Sequence, residues 1–247
     1  MSDGPTFDGG RITTVVQPVV RIADGTVIGL EALARLERPD GVLLAPSDFL
    51  EAALAAGLGL AIACHQARAL ALAAPPPLFG ALNLSAADFA RPGSVECVVR
   101  AAQVAGLEPS RLRIELTETG SADGAALARA AARLREAGAM LVLDDYGRGW
   151  SGPTRLRDLL PGGLKLDRSL TRGLDACSRA RTIVSSIIGL AQALQVDLVA
   201  EGVETRSEAD ACAALGAEAG QGFHWARPMR SSAAWTPLVM VTSPGFG

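Results

Sequence analysis

Carboxylates, two amides and one ammonium recur along this chain wherever a short apolar run ends. In order they are Glu31, Asn83, Glu115 with Glu118, Asp144 beside Asp145, Lys165 with Asp167, Glu201 with Glu204, and Gln221. So many carboxylates gathered at one opening would repel each other unless cations sat among them, and burial would sharpen the repulsion. Hard divalent ions answer that charge. Magnesium and manganese take oxygen ligands, and His65 and His224 are the only histidines in the sequence. Two such ions can share a carboxylate, activate a water between them and steady the oxygens of an in-line displacement at phosphorus, so phosphoester hydrolysis is the reaction class expected. Lys165 is the sole lysine among the 23 lysines and arginines. An ammonium is a compact point charge whose pKa can shift, suited to holding a nucleophilic water or a phosphate oxygen beside metals.

Taken singly, an Asp pair or a Glu at a strand end is more often a helix cap or a surface charge. The ordered set fits that reading poorly. Glu118 and Glu204 also suit the first turn of a following helix, where a carboxylate favours the dipole. The glycine-rich run 147–152, directly after the Asp pair, reads either as a flexible turn or as a mobile cover over the site. His224 and the four cysteines read as packing residues.

For these groups to meet, the elements that carry them must share one end. β-type runs at 12–22, 27–33, 81–84, 112–116, 140–143, 164–166, 198–200 and 219–222 alternate with helical faces at 47–58, 60–73, 94–105, 122–137, 176–194 and 206–215. Ser47 after Pro46, and Thr205 with Glu208 three residues on as a capping box, mark helix starts. Eight strands alternating with helices predict an α/β fold, a TIM-like (β/α)8 barrel, in which chemistry sits where strands end. Only residues 23–26, with Asp24-Gly25 in the middle, separate the first two strands. They form a hairpin, so the barrel has one antiparallel strand.

At 247 residues and 49% hydrophobic content, the chain fits one domain over 1–247, with its core at about 11–240. No internal linker stands out, and only the ends, 1–10 and 243–247, lack apolar periodicity. The formal net charge of −3 and the scattered arginines leave no basic stripe for duplex nucleic acid. A small anion needs only a few local charges. Cys64, Cys97, Cys177 and Cys212 lie far apart with no C-x-x-C pair, the pattern of reduced thiols in a cytoplasmic protein. The most apolar run, 51–65, is too short and glycine-interrupted to span a bilayer, and no signal peptide is expected.

Several separated motifs, from about Gln17 to Met229, resemble the EAL-domain cyclic-di-GMP phosphodiesterases. Glu31-Ala32-Leu33 followed by Arg35 looks like E-A-L-x-R, and Gln17-Pro18 matches the Q-P pair before it. Asn83-Leu84-Ser85 resembles N-x-S, Glu115 to Glu118 resembles E-x-T-E, and Asp144-Asp145-Tyr146-Gly147 resembles D-D-F-G. Lys165-Leu166-Asp167 resembles K-x-D, Glu201 to Glu204 matches E-G-V-E, and Gln221-Gly222-Phe223 resembles Q-G-Y. The resemblance implies that Glu31, Asn83, Glu115 and Asp144 ligate one magnesium or manganese ion. Asp144 and Asp145 would serve a second, alongside Glu201 or a nearby acid. Lys165 and Glu201 would position or deprotonate the attacking water, with Asp167 beside Lys165 and with Glu118 and Glu204 also counted as catalytic. Arg35 would contact a substrate phosphate, whose geometry suits the guanidinium fork. Gln17, Leu33, Phe223 and Pro228 would line the guanine pockets, with Gln221 a further substrate contact. The implied product is linear pGpG, and the implied assembly is a homodimer regulated by a sensor domain or partner; the sensor is expected to lie outside this chain.

Departures from the family pattern cluster after the Asp pair: Tyr146 for Phe, Arg148 for Thr, Trp150 for Tyr and Gly152 for Ser. The resemblance ties that loop to dimer contacts and activation. Phe223 keeps the aromatic face of the usual Tyr and loses its hydroxyl, and Val16 stands where an aromatic is common. Two other readings stand beside the hydrolase. One is a receptor that binds cyclic-di-GMP without cutting it. The other takes Lys165 as a Schiff-base lysine on a barrel strand, as in aldolases, although such a site needs no ring of carboxylates.

Overall fold

The computed structural model describes residues 4–117, 122–147 and 153–230. Glu118, residues 148–152 of the glycine-rich loop (including Arg148, Trp150 and Gly152) and the 231–240 end of the expected core lie outside the described residues. In chain order the elements are β1 (Thr6–Phe7), β2 (Gly10–Arg21), β3 (Val27–Glu37), β4 (Leu43–Leu44), α1 (Pro46–Ala55), α2 (Gly59–Ala73), β5 (Phe79–Ser85), α3 (Ala86–Ala90) and α4 (Ser94–Val104). A 3₁₀ turn at Pro109–Arg111 leads to β6 (Leu112–Thr117), α5 (Gly124–Glu136), β7 (Met140–Tyr146), α6 (Pro153–Leu159) and β8 (Gly163–Leu166). Then follow α7 (Arg168–Thr171), α8 (Ser178–Leu194), β9 (Asp197–Ala200), α9 (Arg206–Ala214), β10 (Ala219–Gly220) and β11 (Met229–Arg230).

The eight expected strands close into a barrel. β3, β5, β6, β7, β8, β9 and β10 run parallel, and β2 closes the ring by pairing antiparallel with both β3 and β10. The reversed strand is therefore β2, for the reason the short connection gives. Asp24 Oδ1 accepts the Thr26 N–H at 2.9 Å, the Gly25 N–H bonds Arg21 O at 2.8 Å, and Gly25 takes φ +69°. Such a turn returns the chain beside itself.

Alternation along the strands separates core from site. Leu30 and Ala32 on β3, Leu82 and Leu84 on β5, and Ile114 and Leu116 on β6 belong to one buried cluster with Ala67, Leu70, Leu127 and Leu134 of the helices. Glu31, Asn83 and Glu115 lie between those aliphatics and face the other way. Each fully buried leucine contributes about 1.5–3 kcal/mol, and this shell offsets the cost of a polar barrel interior. At the opposite end Arg113 pairs with Asp197 at 2.8 Å and lies over the Phe79 ring, 3.6 Å from its centroid.

Several boundaries depart from the sequence reading, most clearly at β3 and α1. β3 continues to Glu37, beyond the expected 33, because β2 pairs with it as far as Arg11↔Glu37 and β4 adds Leu36↔Leu44 on its far edge. α1 starts at Pro46 and ends at Ala55: Ala45, not Ser47, is the N-cap, and its N–H donates to Asp48 Oδ2 at 3.0 Å. The short helices α3, α6 and α7 and the strands β1, β4 and β11 have too few residues for periodicity to reveal. α9 keeps its expected capping box, with the Glu208 N–H donating to Thr205 Oγ1 at 3.2 Å and the Thr205 N–H to Glu208 Oε2 at 3.1 Å. No helix among the described residues is long and apolar enough to cross a membrane.

Candidate active site

Register brings the polar positions together at the C-terminal ends of the parallel strands. Asn83 on β5 lies directly beside Glu115 on β6, and Glu31 on β3 lies beside Ala81. Lys165, flanked by Leu164 and Leu166 in the helix-facing core, extends inward from β8 and is only 1% exposed. Its Nζ lies 2.6 Å from Glu201 Oε1, 2.7 Å from Glu115 Oε2, 3.1 Å from Glu31 Oε2 and 3.9 Å from Asp144 Oδ1. Four carboxylates from four strand ends thus converge on one ammonium. Glu31 also accepts the Asn83 Nδ2–H at 2.7 Å and the Gln221 Nε2–H at 2.8 Å. Gln221 Oε1 is buried with no partner among the described residues.

Asp144 and Asp145 are consecutive, and a regular strand would turn one of them away. A β-bulge prevents this. Between Leu143↔Leu164 and Tyr146↔Leu166 the β7 chain holds one residue more than β8, and Asp145 takes φ +51°. Carboxylate oxygens of Asp144, Asp145 and Glu201 consequently lie within 4.8 Å of one another, a group that can hold a metal ion. A non-glycine residue in the left-handed region costs of order 1 kcal/mol or more, and here it sits at the site.

Burial raises three of the carboxylates here, and their like charges add to it. Burial pushes the Glu201 carboxyl up to about 8; Lys165 opposes this, and Asp144 and Glu31 add to it. Burial, followed by the charge of Glu31, holds Glu115 well above the usual carboxylate range, and burial likewise raises Asp144. Only Glu31 is held low: burial works against its charge, but Lys165 and the Asn83 and Gln221 hydrogen bonds outweigh it. Burial also opposes the Lys165 charge, yet Glu115, Glu201 and Glu31 keep the ammonium well above its ordinary value. A lysine held this firmly protonated is a poor amine nucleophile, which counts against the Schiff-base reading.

A cavity of about 410 Å³ opens over the cluster, lined by Gln17, Glu31, Leu33, Asp145, Asp167, Glu201, Glu204, Gln221 and Phe223 among others. Its volume is in the range of small-ligand sites. Asp167 is buried and caps α7, accepting the Ser169 N–H at 2.9 Å; its charge contributes to raising Asp144. Gln17 donates to the Ala226 carbonyl at 3.0 Å. Glu204 is exposed on the rim, and the helix behind it begins one residue later with Thr205 as cap. Arg35 lies on the same face of β3 as Glu31 and Leu33. It is half-buried, donates to the Ala34 carbonyl at 2.8 Å and is not among the residues lining the cavity. Pro228 is half-buried and also outside that lining, next to the β11 pairing of Met229 with Val16. Glu118 is not described.

Sequence reasoning missed several supporting residues. Arg168 and Gly202 line the cavity. Gly202 has φ +62°, and a Cβ there would come within 2.3 Å of Arg168 Cβ, so only glycine allows the chain to pass. Thr171 donates to the Glu201 carbonyl. Glu208 accepts the N–H groups of Gly173 at 2.9 Å and Glu204 at 2.8 Å, tying the loop after β9 to the end of α7. Arg227 stacks on Phe223, with its guanidinium 4.2 Å from the ring centroid. For Gly202 a signal existed, since it stands inside the Glu201 motif; Glu208 was legible only as the capping partner of Thr205, and Thr171 gave no signal, because it acts through a tertiary contact.

Comparison with known proteins agrees with this fold. The cyclic di-GMP phosphodiesterase PA2567 of Pseudomonas aeruginosa is 36% identical over 226 residues, covering 87% of this chain and 38% of the relative. The chain thus spans little more than a third of that relative's length. The solved PaMucR phosphodiesterase, in complex with c-di-GMP, superposes with a TM-score of 0.80 at 35% identity, covering 89% of this chain and 92% of that one. The manganese and cyclic-di-GMP complex of BlrP1 from Klebsiella pneumoniae gives a TM-score of 0.80 at 28% identity, over 92% of this chain and 58% of that one. The EAL domain family model matches residues 5–228, and this chain belongs to the EAL domain family.

Proposed function

We propose that this domain is a metal-dependent phosphodiesterase that hydrolyses cyclic-di-GMP to linear pGpG. The observation that carries the reading is the buried Lys165 ringed by Glu31, Glu115, Asp144 and Glu201. Relatives named as cyclic di-GMP phosphodiesterases support the choice of substrate.

The donor set fits hard divalent cations: every candidate ligand is an oxygen, and three of the carboxylates are raised, first by burial and then by the neighbouring carboxylates. Glu31, Asn83, Glu115 and Asp144 would hold one magnesium or manganese ion, and Asp144, Asp145 and Glu201 a second. Such ions supply Lewis-acid polarisation of the phosphoryl oxygens and acidification of a water. The chain's own groups do the rest. Lys165 fixes the Glu201 carboxylate at 2.6 Å, leaving Glu201 to accept the proton of the attacking water, with Asp167 and Glu204 on the same rim. Gln17, Leu33, Gln221 and Phe223 face the cavity and would seat the bases; Arg35 and Pro228 extend that surface, Arg35 toward a phosphate. The same reading places the active form in the cytoplasm as a homodimer under a regulatory sensor domain or partner, where the loop bearing Arg148, Trp150 and Gly152 would contribute.

Incubation with cyclic-di-GMP and magnesium or manganese, followed by chromatography, tests the proposal. Accumulation of pGpG that EDTA abolishes is the expected outcome. Tight binding with no turnover in either metal would overturn the hydrolase reading in favour of a cyclic-di-GMP receptor.

A further inference from the structure

We propose that Cys64 and Cys97 form an oxidisable dithiol, which closes to an intramolecular disulfide by exchange with a small-molecule disulfide of the glutathione class. The two residues are 33 apart in sequence, on α2 and α4, and the fold brings their Sγ atoms to 3.4 Å. A disulfide bond is about 2.05 Å long, so closure asks the sulfurs to approach by about 1.4 Å. The helices are already in contact around them, with Ala63 and Ala67 of α2 packed in one cluster with Val98 and Ala101 of α4. Among the described residues no other pair of cysteine sulfurs touches.

The two thiols are placed for different parts in the exchange. Cys97 is exposed, whereas Cys64 is buried. Burial, then the Cys97 sulfur, pushes the Cys64 thiol up to about 12; it stays protonated and out of reach of a bulky reagent. The Cys97 thiolate attacks one sulfur of the oxidant, breaking its S–S bond and releasing one thiolate that leaves as a thiol. Cys64, giving its proton to solvent, then attacks the Cys97 sulfur of the mixed disulfide and expels the second thiol. Two protein thiols and one oxidant disulfide become one protein disulfide and two small thiols. The bond would clamp α2, whose Gln66 donates to the Ala32 carbonyl at 3.1 Å, next to Glu31 on β3. Exposed Cys177 is a built-in comparison, since its Sγ accepts the Ala180 N–H at 3.4 Å at the start of α8.

The full chain is incubated with oxidised glutathione in EDTA, alkylated, and read by intact mass and peptide mapping. Expected are a linked Cys64–Cys97 peptide pair, a glutathione adduct confined to Cys177, and a thermal midpoint raised by on the order of 10 °C and restored by dithiothreitol. Cys97→Ser, at an exposed position, should abolish the link and the shift, and Cys177→Ser should keep both. A lasting glutathione adduct on Cys97 with Cys64 still reduced, or four free thiols after saturating oxidant, would overturn the proposal.

Discussion

Replacing Glu201 by Gln separates the charge of the acidic mouth from its shape. The Glu201 carboxyl has an ordinary value of 4.5 and is pushed up to about 8, chiefly by burial. With a folded value above the unfolded one, the native state holds one more proton through that window. Stability is therefore complete below about pH 4.5, falls by about 1.4 kcal/mol per pH unit as pH rises, and levels off above about 8. Across the window this amounts to about 3–5 kcal/mol. Glutamine keeps the outline and cannot ionise, so the variant lacks this component and the part of the Glu115 rise that the Glu201 charge supplies, while burial still raises Glu115 and Asp144. The assay is urea unfolding of both proteins in EDTA at pH 5 and pH 9. On moving to the higher pH, the stability difference should shift toward the variant by on the order of 4 kcal/mol. Manganese should narrow that difference, because ligand at one hundred times its Kd adds about 2.7 kcal/mol to the form that binds it. Hydrolysis by the variant should fall by about 10²–10⁴. Parallel pH curves for the two proteins would refute the electrostatic account of Glu201, and undiminished turnover would remove its role as proton acceptor.

Lys165→Arg should lower turnover by about 100-fold or more, because a planar fork cannot replace a point charge centred among four carboxylates; near-native rates would contradict that role. Glu31→Ala should abolish hydrolysis while cooperative unfolding persists, at a cost of about 2–4 kcal/mol for leaving the Asn83 and Gln221 donors unmatched and removing one of the Lys165 ion pairs. Unchanged activity in that variant would dismantle the ligand assignment. Gly202→Ala introduces a Cβ at φ +62° within 2.3 Å of Arg168 Cβ. It should cost about 1–3 kcal/mol in denaturant unfolding and depress kcat more than it raises KM, since Glu201 is the preceding residue. A wild-type midpoint with wild-type kcat would show that the loop yields freely.

Much of the site was legible because strands have a period of two. Glu31 stands between Leu30 and Ala32, Asn83 between Leu82 and Leu84, Glu115 between Ile114 and Leu116, and Lys165 between Leu164 and Leu166. A polar residue inside an aliphatic run must face the opposite side of the sheet, and in a closed barrel that side is the interior. The reversal of β2 was equally local, since the connection at Asp24-Gly25 is too short for a crossover. The extension of β3 to Glu37 was not, because it depends on how far β2 and β4 run alongside. Nor could capping be assigned at Ala45, where the acceptor is Asp48 three residues away and Ser47 offered a more obvious candidate.

The sequence by itself determined the barrel, its single reversed strand and the residue types at its mouth, because periodicity and turn chemistry are properties of neighbouring residues. Only the tertiary structure decided that the β7 bulge turns Asp144 and Asp145 to the same side, that Lys165 lies between carboxylates from four other strand ends, and that Cys64 meets Cys97. Those outcomes depend on strand register and helix packing, where groups far apart in the chain set each other's position and charge.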